Sequence, residues 1–420
     1  MRILQVVHNF TAEHRGGTEL YTRSLSRALA ARGHAVRVFT TRVGTDRRLR
    51  IEEHDGLEVA EAEHPPSGSF RERARMHREV RDRFEAHARE FGADVVHVQH
   101  LIDISPTILG VPRRLGVPGL VSLHDYWYRC PRTTLLRKDG TVCTTGPQGG
   151  FACVRHCRPA TSREDHADIA GGKGPVRPRD LAYVARYLRL DRAIREVDRF
   201  VAGSEFTRRT YATLGVDPGR IEVIPWGVAE AGTAAGDRRL RPTRPVRFAF
   251  LGHLSPAKGA DLAIRAFAGI DPARAVLTLH GPMAEPQAPR FRALLDAAPN
   301  VRWAGPYEAS ALAGILADAD AVVMPSRALE NYPLVVQEAF QHGVPMVVSR
   351  AGSLPEVVRN GVDGVVFGST EEDLRRAAEE LADDPARLAR LAEGVPAVKP
   401  MAVHAEEIEG LYARLRGAPA

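Results

Sequence analysis

The stretch Ser326-Arg-Ala-Leu-Glu330-Asn-Tyr-Pro333-Leu-Val-Val-Gln-Glu338-Ala-Phe340 follows directly on a short apolar run, Ala321–Met324. The apolar run reads as a buried strand. The polar residues around Glu330 read as a loop, and 334–342 as a helix opened by Pro333. Proline is favoured in the first helical turn, because its missing N–H would have no partner there. Glu330 therefore sits just before a helix start and Glu338 just inside it. The amides of Leu334, Val335 and Val336 would project from that start. Free amides and the helix dipole together make an anion site. Two carboxylates beside such a site suit a ligand with a phosphate and flanking hydroxyls, as a nucleotide sugar has.

The same strand–loop–helix pattern recurs along the chain. The first half predicts strands at 2–7, 36–40, 94–98, 119–123, 200–203 and 221–224, with helices at 18–31 and near 71–90. The second predicts strands at 246–251, 276–280, 300–303, 321–324, 346–349 and 364–367. Its helices fall near 258–269, 287–297, 308–317, 333–342 and 370–382. Strands alternating with helices imply parallel sheets with right-handed crossovers. The expected organisation is one Rossmann-like domain over 1–227 and a linker over 228–245. A second such domain covers 246–400, and a final helix in 401–420 returns to the first. In open sheets of this kind, ligands bind at the carboxyl ends of the strands. Each motif discussed below sits just after a predicted strand.

A chain of 420 residues is long enough for two or three separate cores. No apolar run approaches the roughly 18 residues of a membrane span. The opening Met1-Arg-Ile-Leu-Gln-Val-Val-His8 is too short for a signal peptide and reads as a strand. That argues for a cytoplasmic protein. The net charge of +6 is concentrated in residues 101–200, with 17 Lys and Arg against 10 Asp and Glu. Only four residues are lysine: 138, 173, 258 and 399.

Glu330 and Glu338, followed by Gly343-Val-Pro-Met-Val-Val-Ser349 and Gly352-Ser-Leu-Pro-Glu356, resemble the donor-binding half of the family 4 retaining glycosyltransferases. Gly16-Gly17-Thr-Glu19, Leu123-His124-Asp125, Ser204-Glu-Phe-Thr-Arg208, Ile224-Pro-Trp-Gly227 and Phe250-Leu-Gly-His253…Lys258-Gly259 match the same family in order. The resemblance implies a GT-B fold, two α/β domains facing a cleft. It also implies transfer of a sugar from a nucleotide donor to a hydroxyl acceptor with retention, and no metal requirement for that step.

Site residues follow from the resemblance one by one. Glu338 is similar to the carboxylate that holds the ribose hydroxyls, and Glu330 to the residue that meets the transferred sugar. Asn331, Tyr332 and Leu334 would offer backbone amides to sugar and phosphate. Lys258 would neutralise the leaving diphosphate. Where the family usually carries an Arg before this lysine, the present chain has His253. His124 would orient the donor sugar near its reacting centre. Gly16 and Gly17, lacking a β-carbon, let backbone approach the ligand closely. Tyr307 falls near the expected place of the base.

All four cysteines, Cys130, Cys143, Cys153 and Cys157, fall in one Gly/Pro-rich insert, about 126–178. In a cytoplasmic chain such clustering suggests a structural Cys₄ zinc site, with His156 as an alternative ligand. Free thiols or a redox pair are the other reading. The helix-like run 181–197 carries Arg186, Arg189, Arg192 and Arg195 beside an apolar stripe. It packs on the first core with a basic edge, or lies peripherally on the inner membrane face, where a lipid-linked acceptor would sit. Competing functions are a nucleotide-sugar epimerase or phosphorylase on the same fold, and a zinc-containing nucleic-acid-binding protein. The Arg-rich middle lacks the interleaved aromatics that nucleic-acid binding favours, so no nucleic-acid partner is expected.

Overall fold

The computed structural model describes residues 1–10, 16–46, 48–65, 70–137, 139–144, 150–157, 181–229 and 244–417. Lys138, most of the expected linker and the second half of the cysteine insert lie outside these residues. The first sheet has eight strands: β1 (Arg2–Val6), β2 (Ala35–Val43), β3 (Leu49–His54), β4 (Leu57–His64), β5 (Val95–Val98), β6 (Gly119–Ser122), β7 (Arg199–Ala202) and β8 (Ile221–Val223). Their order is β3-β4-β2-β1-β5-β6-β7-β8, parallel except for the β3–β4 hairpin. The second sheet has six: β9 (Val246–Leu251), β10 (Ala275–His280), β11 (Val301–Gly305), β12 (Ala321–Met324), β13 (Met346–Ser349) and β14 (Gly364–Phe367). Its order is β11-β10-β9-β12-β13-β14, parallel throughout.

Every residue of β5, β6, β12 and β13 is buried. That is the signature of parallel strands covered by helices on both faces, and it explains why they read as unbroken apolar runs. The antiparallel hairpin was not expected. Its turn is Asp55-Gly56, both with positive φ, at 54° and 78°. This is the twist-matched two-residue turn that Asp-Gly favours. The second domain also holds helices that the sequence reading did not expect, Leu354–Val357 and Pro385–Glu393.

One face of the first sheet packs Leu4, Val6, Phe39, Val80 and Phe84. The other packs Ile3, Tyr21, Leu25 and Leu29 against Met401, Ala405, Ile408, Leu411 and Tyr412 of the last helix, Met401–Leu415. The chain crosses back where Val228 N donates to Lys399 O (3.0 Å) and Met401 N donates to Val228 O (2.8 Å). In the second domain β9 lies between β10 and β12, so the strand order reverses there. The loops after β9 and β12 are therefore neighbours at a topological switch point, the place such sheets reserve for ligands.

Candidate active site

Lys258 leaves the loop after β9 and Glu330 the loop after β12. Lys258 Nζ donates to Glu330 Oε1 at 2.8 Å, and Ser326 Oγ donates to the same oxygen at 2.6 Å. Backbone packing holds both loops. Gly259 has φ 72°, and a β-carbon there would run into the Pro325 carbonyl. Gly352, at φ 67°, lies flat on the Glu330 backbone, and a β-carbon would collide with both the Glu330 amide and its carbonyl. Ser353 N donates to Glu330 O at 2.8 Å. Only glycine allows these two approaches.

The helix Leu334–Gln341 starts after Pro333, as expected. Its first turn differs in one respect: Val336 N donates to Pro333 O at 3.2 Å, so it is not a free amide. Of the three amides expected to face the ligand, only those of Leu334 and Val335 remain. Glu338, one turn in, is half-buried, and burial pushes its carboxyl above the usual range. Tyr307 lies close enough to feel that charge. Burial first and Glu338 second push its hydroxyl up to about 12. His253 is held below the ordinary histidine range, by partial burial and then by the Lys258 charge. Both effects disfavour its charged form, so it is a weaker cation than an Arg would be.

The first domain closes against this loop. Asn331 Nδ2 donates to Leu123 O at 3.3 Å, while Ser204 Oγ (2.6 Å) and Thr207 Oγ1 (3.2 Å) donate to Asn331 O. A β-carbon on Gly203 would strike Tyr332 and Trp226, and one on Gly17 would touch Leu334. Gly16 and Gly17 begin the helix Gly17–Ala31 at ordinary negative φ, so close approach, not turn geometry, is their use. Glu356 reaches across to the start of the helix Glu205–Thr213, accepting from Phe206 N at 2.9 Å and pairing with Arg209. The fold thus joins Gly17 to Leu334, Lys258 to Glu330, and Leu123, next to His124, to Asn331.

His124 lies two residues past the end of β6 and is half-buried. Its Nε2 lies 2.9 Å from Gln99 Oε1. Burial, then His100, His97, His8 and His404, push it well below the usual histidine range, so the ring is neutral. A neutral imidazole positions a hydroxyl rather than supplying charge. Beside it His100 Nε2 lies 3.1 Å from Asp125 Oδ2, and its ring is 4.7 Å from that of His8. The sequence reading missed His100 and Gln99. Their signal was position, at the carboxyl end of β5.

Cys130, Cys153 and Cys157 are buried, Cys143 is half-buried, and none is in a disulfide. Burial and the neighbouring thiols push Cys153 up to about 12 and Cys157 to about 11. The four share a neighbourhood, yet among the described residues no three His, Cys, Asp or Glu side chains converge to hold a metal ion. The expected Cys₄ zinc site, and His156 as its alternative ligand, find no support in this geometry.

Known proteins place the arrangement. A family model described as Glycosyltransferase Family 4 matches residues 15–231, and one described as Glycosyl transferases group 1 matches 245–384. The chain belongs to glycosyltransferase family 4. It is 33% identical over 230 residues to the D-inositol 3-phosphate glycosyltransferase of Rhodococcus opacus, covering 50% of this chain and 51% of that one. To the protein of the same name from Geodermatophilus obscurus it is 29% identical over 370 residues, 84% of this chain and 74% of that one. The chain spans about half the length of the first curated relatives it matches. In structure it is similar to sucrose-phosphate synthase from Thermosynechococcus elongatus (TM-score 0.71, 19% identity, 100% of both chains). It is also similar to Anabaena HepE in complex with UDP-glucose (TM-score 0.67, 16% identity, 99% of this chain, 100% of that one). These likenesses define the GT-B fold, as expected.

Proposed function

We propose that this chain is a retaining glycosyltransferase that moves a sugar from a nucleoside-diphosphate donor to a hydroxyl acceptor. The observation that carries the reading is the Lys258–Glu330 pair at the switch point of the second sheet, with Leu123 of the first domain, next to His124, bonded to the neighbouring Asn331. Lys258 and the amides of Leu334 and Val335 stabilise the charge that grows on the leaving diphosphate. Glu338 accepts from the ribose hydroxyls, and Glu330 and His124 orient the transferred sugar. His253 donates a hydrogen bond to a phosphate oxygen and adds less charge than an Arg would. A UDP-sugar is the first donor to test, since HepE was solved with UDP-glucose. The relatives' name makes a phosphorylated polyol the first acceptor to test. The experiment is a thermal-shift screen of UDP-, GDP- and ADP-sugars followed by transfer assays. One nucleotide class should raise the melting temperature, and the product should keep the donor's anomeric configuration. Donor turnover without any acceptor would replace this reading with the epimerase.

A peripheral membrane contact, on the cytoplasmic side, belongs to the same proposal. The helix Leu181–Arg195 buries Leu190 and Ile194 in the first core, while Leu181 (52%) and Leu188 (60%) stay exposed. Arg192 and Arg195 are exposed at the helical spacing that continues from Leu188. Apolar contacts beside arginines suit an anionic bilayer surface. Among the described residues no helix is long and apolar enough to cross a membrane. Co-flotation with anionic but not zwitterionic vesicles, reduced by Leu188→Glu, tests the contact.

A further inference from the structure

A continuous chain of buried polar groups runs from the last helix to His124. Tyr21 Oη and His404 Nε2 are 2.6 Å apart. Ser122 Oγ is 2.9 Å from His97 Nε2, and His97 Nδ1 is 2.7 Å from Tyr412 Oη. Gln5 Nε2 donates to Tyr412 Oη at 3.4 Å, and Gln99 Nε2 donates to Gln5 Oε1 at 2.9 Å. Gln99 Oε1 then faces His124 Nε2. Gln5, His97, Gln99, Ser122 and His404 are fully buried. The links from Ser122 to Gln99 are thus shielded from water, and only the last, to His124, reaches the partly open site.

Such a chain can point its protons in either of two directions, because each amide, hydroxyl and imidazole can reverse. The amide orientations in the fold select one. Gln5 Nε2 donates to Tyr412 Oη and Gln99 Nε2 donates to Gln5 Oε1. Tyr412 keeps its own proton for His97 Nδ1, and Gln99 Oε1 is left to accept from His124 Nε2.

We propose that the last helix, through Tyr412, Gln5 and Gln99, sets the tautomer of His124: the proton is held on Nε2, and the Nδ1 lone pair is left for a ligand hydroxyl. Gln99, Gln5 and Tyr412 are positioning residues, acting on the sugar or acceptor only through His124. This rests on the glycosyltransferase reading for its purpose, but not for its test.

The test reads the tautomer directly. Protein labelled with ¹⁵N-histidine is observed above pH 7 without substrate, and the His124 ring is assigned by its loss in His124→Ala. The wild type should show a protonated Nε2 and a bare Nδ1. Gln99→Leu and Tyr412→Phe should each admit an Nδ1-protonated fraction, and Gln99→Glu, which keeps an acceptor, should restore a single form. In transfer assays the two disruptive variants should lower kcat roughly tenfold, the worth of one buried hydrogen bond, with donor KM within about twofold. In the His124→Ala background neither should lower kcat further, because their effect passes through the missing ring. A wild-type proton on Nδ1, an unmoved tautomer in both variants, or additive losses in that background would each overturn the proposal. The tautomer is measured whether or not the expected transfer is found.

Discussion

Replacing Lys258 with alanine should separate catalysis from donor binding. Lys258 Nζ and Glu330 Oε1 are 2.8 Å apart, with 39% of the lysine side chain and 10% of the glutamate exposed. Two unit charges at that distance attract by ~6 kcal/mol at an effective dielectric near 20. Desolvation and side-chain ordering reduce the net worth to the ~1.5–3 kcal/mol of a hydrogen bond to a charged group. The partly exposed lysine belongs at the lower end of that range. In the transition state the leaving diphosphate gains charge. Removing one preorganised donor there costs ~2.7–4 kcal/mol, or roughly 10²–10³ in turnover. Lys258→Ala should therefore lower kcat by that factor and change donor KM by less than about tenfold. The variant also strands Glu330 with Ser326 alone and should melt earlier. Adding Glu330→Gln should recover melting temperature but not turnover. Initial rates of nucleotide release and thermal melts supply both readouts. A variant with full kcat and a raised KM would refute the reasoning, because Lys258 would then serve only the ground state.

Three other outcomes are expected. Burial raises the Glu338 carboxyl, so its cost to folding appears as pH climbs past the unfolded carboxylate value near 4.3. Glu338→Gln should thus raise the melting temperature of the free protein at pH 7–8, yet weaken nucleotide binding by ~1.5–3 kcal/mol. A variant neither more stable nor weaker in binding would show that this carboxylate is solvated and remote from the ligand. Glu356→Ala removes the acceptor of the Phe206 N–H hydrogen bond and an exposed ion pair across the cleft, together worth ~1 kcal/mol. Small-angle scattering without ligand should then show a larger radius of gyration, and an unchanged radius would mean that the contact does not hold the domains closed. His97 and His404 are pushed down to about 3 by burial, with His404 and Lys399 respectively adding to it. The unfolded chain binds protons below about 6.5 and these folded sites do not. Each should remove up to ~1.4 kcal/mol per pH unit from there towards pH 3. Urea midpoints that stay flat between pH 7 and 4.5 would contradict this.

Ala321–Met324, Met346–Ser349 and Gly364–Phe367 occupy the strands expected of them to the residue. Strands buried on both faces can hardly be written in anything but apolar residues, and their loops start with Gly, Ser and Pro. The β3–β4 hairpin escaped because Leu49–His54, at the sheet edge, is charged and largely exposed. Its only plain signal was Asp55-Gly56. At the site, Glu330, Glu338, Lys258 and His124 were legible because each lies just after a strand in a recognisable run. The lost Val336 amide was not, since a single turn's hydrogen bond depends on how the chain leaves Pro333. Nor was the buried polar chain, whose Gln5 and Tyr412 are 407 residues apart. Isolated glutamines and tyrosines carry no spacing that foretells such a meeting. The cysteines show the converse: neighbours in sequence, they share a region without converging.

The return of Met401–Leu415 to the first sheet bears on how the protein is made. Domains generally fold in turn as they leave the ribosome, the amino-terminal one first. Here the first domain lacks one wall of its core, and the partners of His97 and Tyr21, until Tyr412 has been synthesised. The emerging first domain waits with Ile3, Tyr21, Leu25 and Leu29 open along one face, while the whole second domain is translated and can fold. The last fifteen helical residues then complete the first domain, and the same step encloses the polar groups behind His124. A polypeptide stalled or cut before residue 401 would hold a finished second domain beside an unfinished first one.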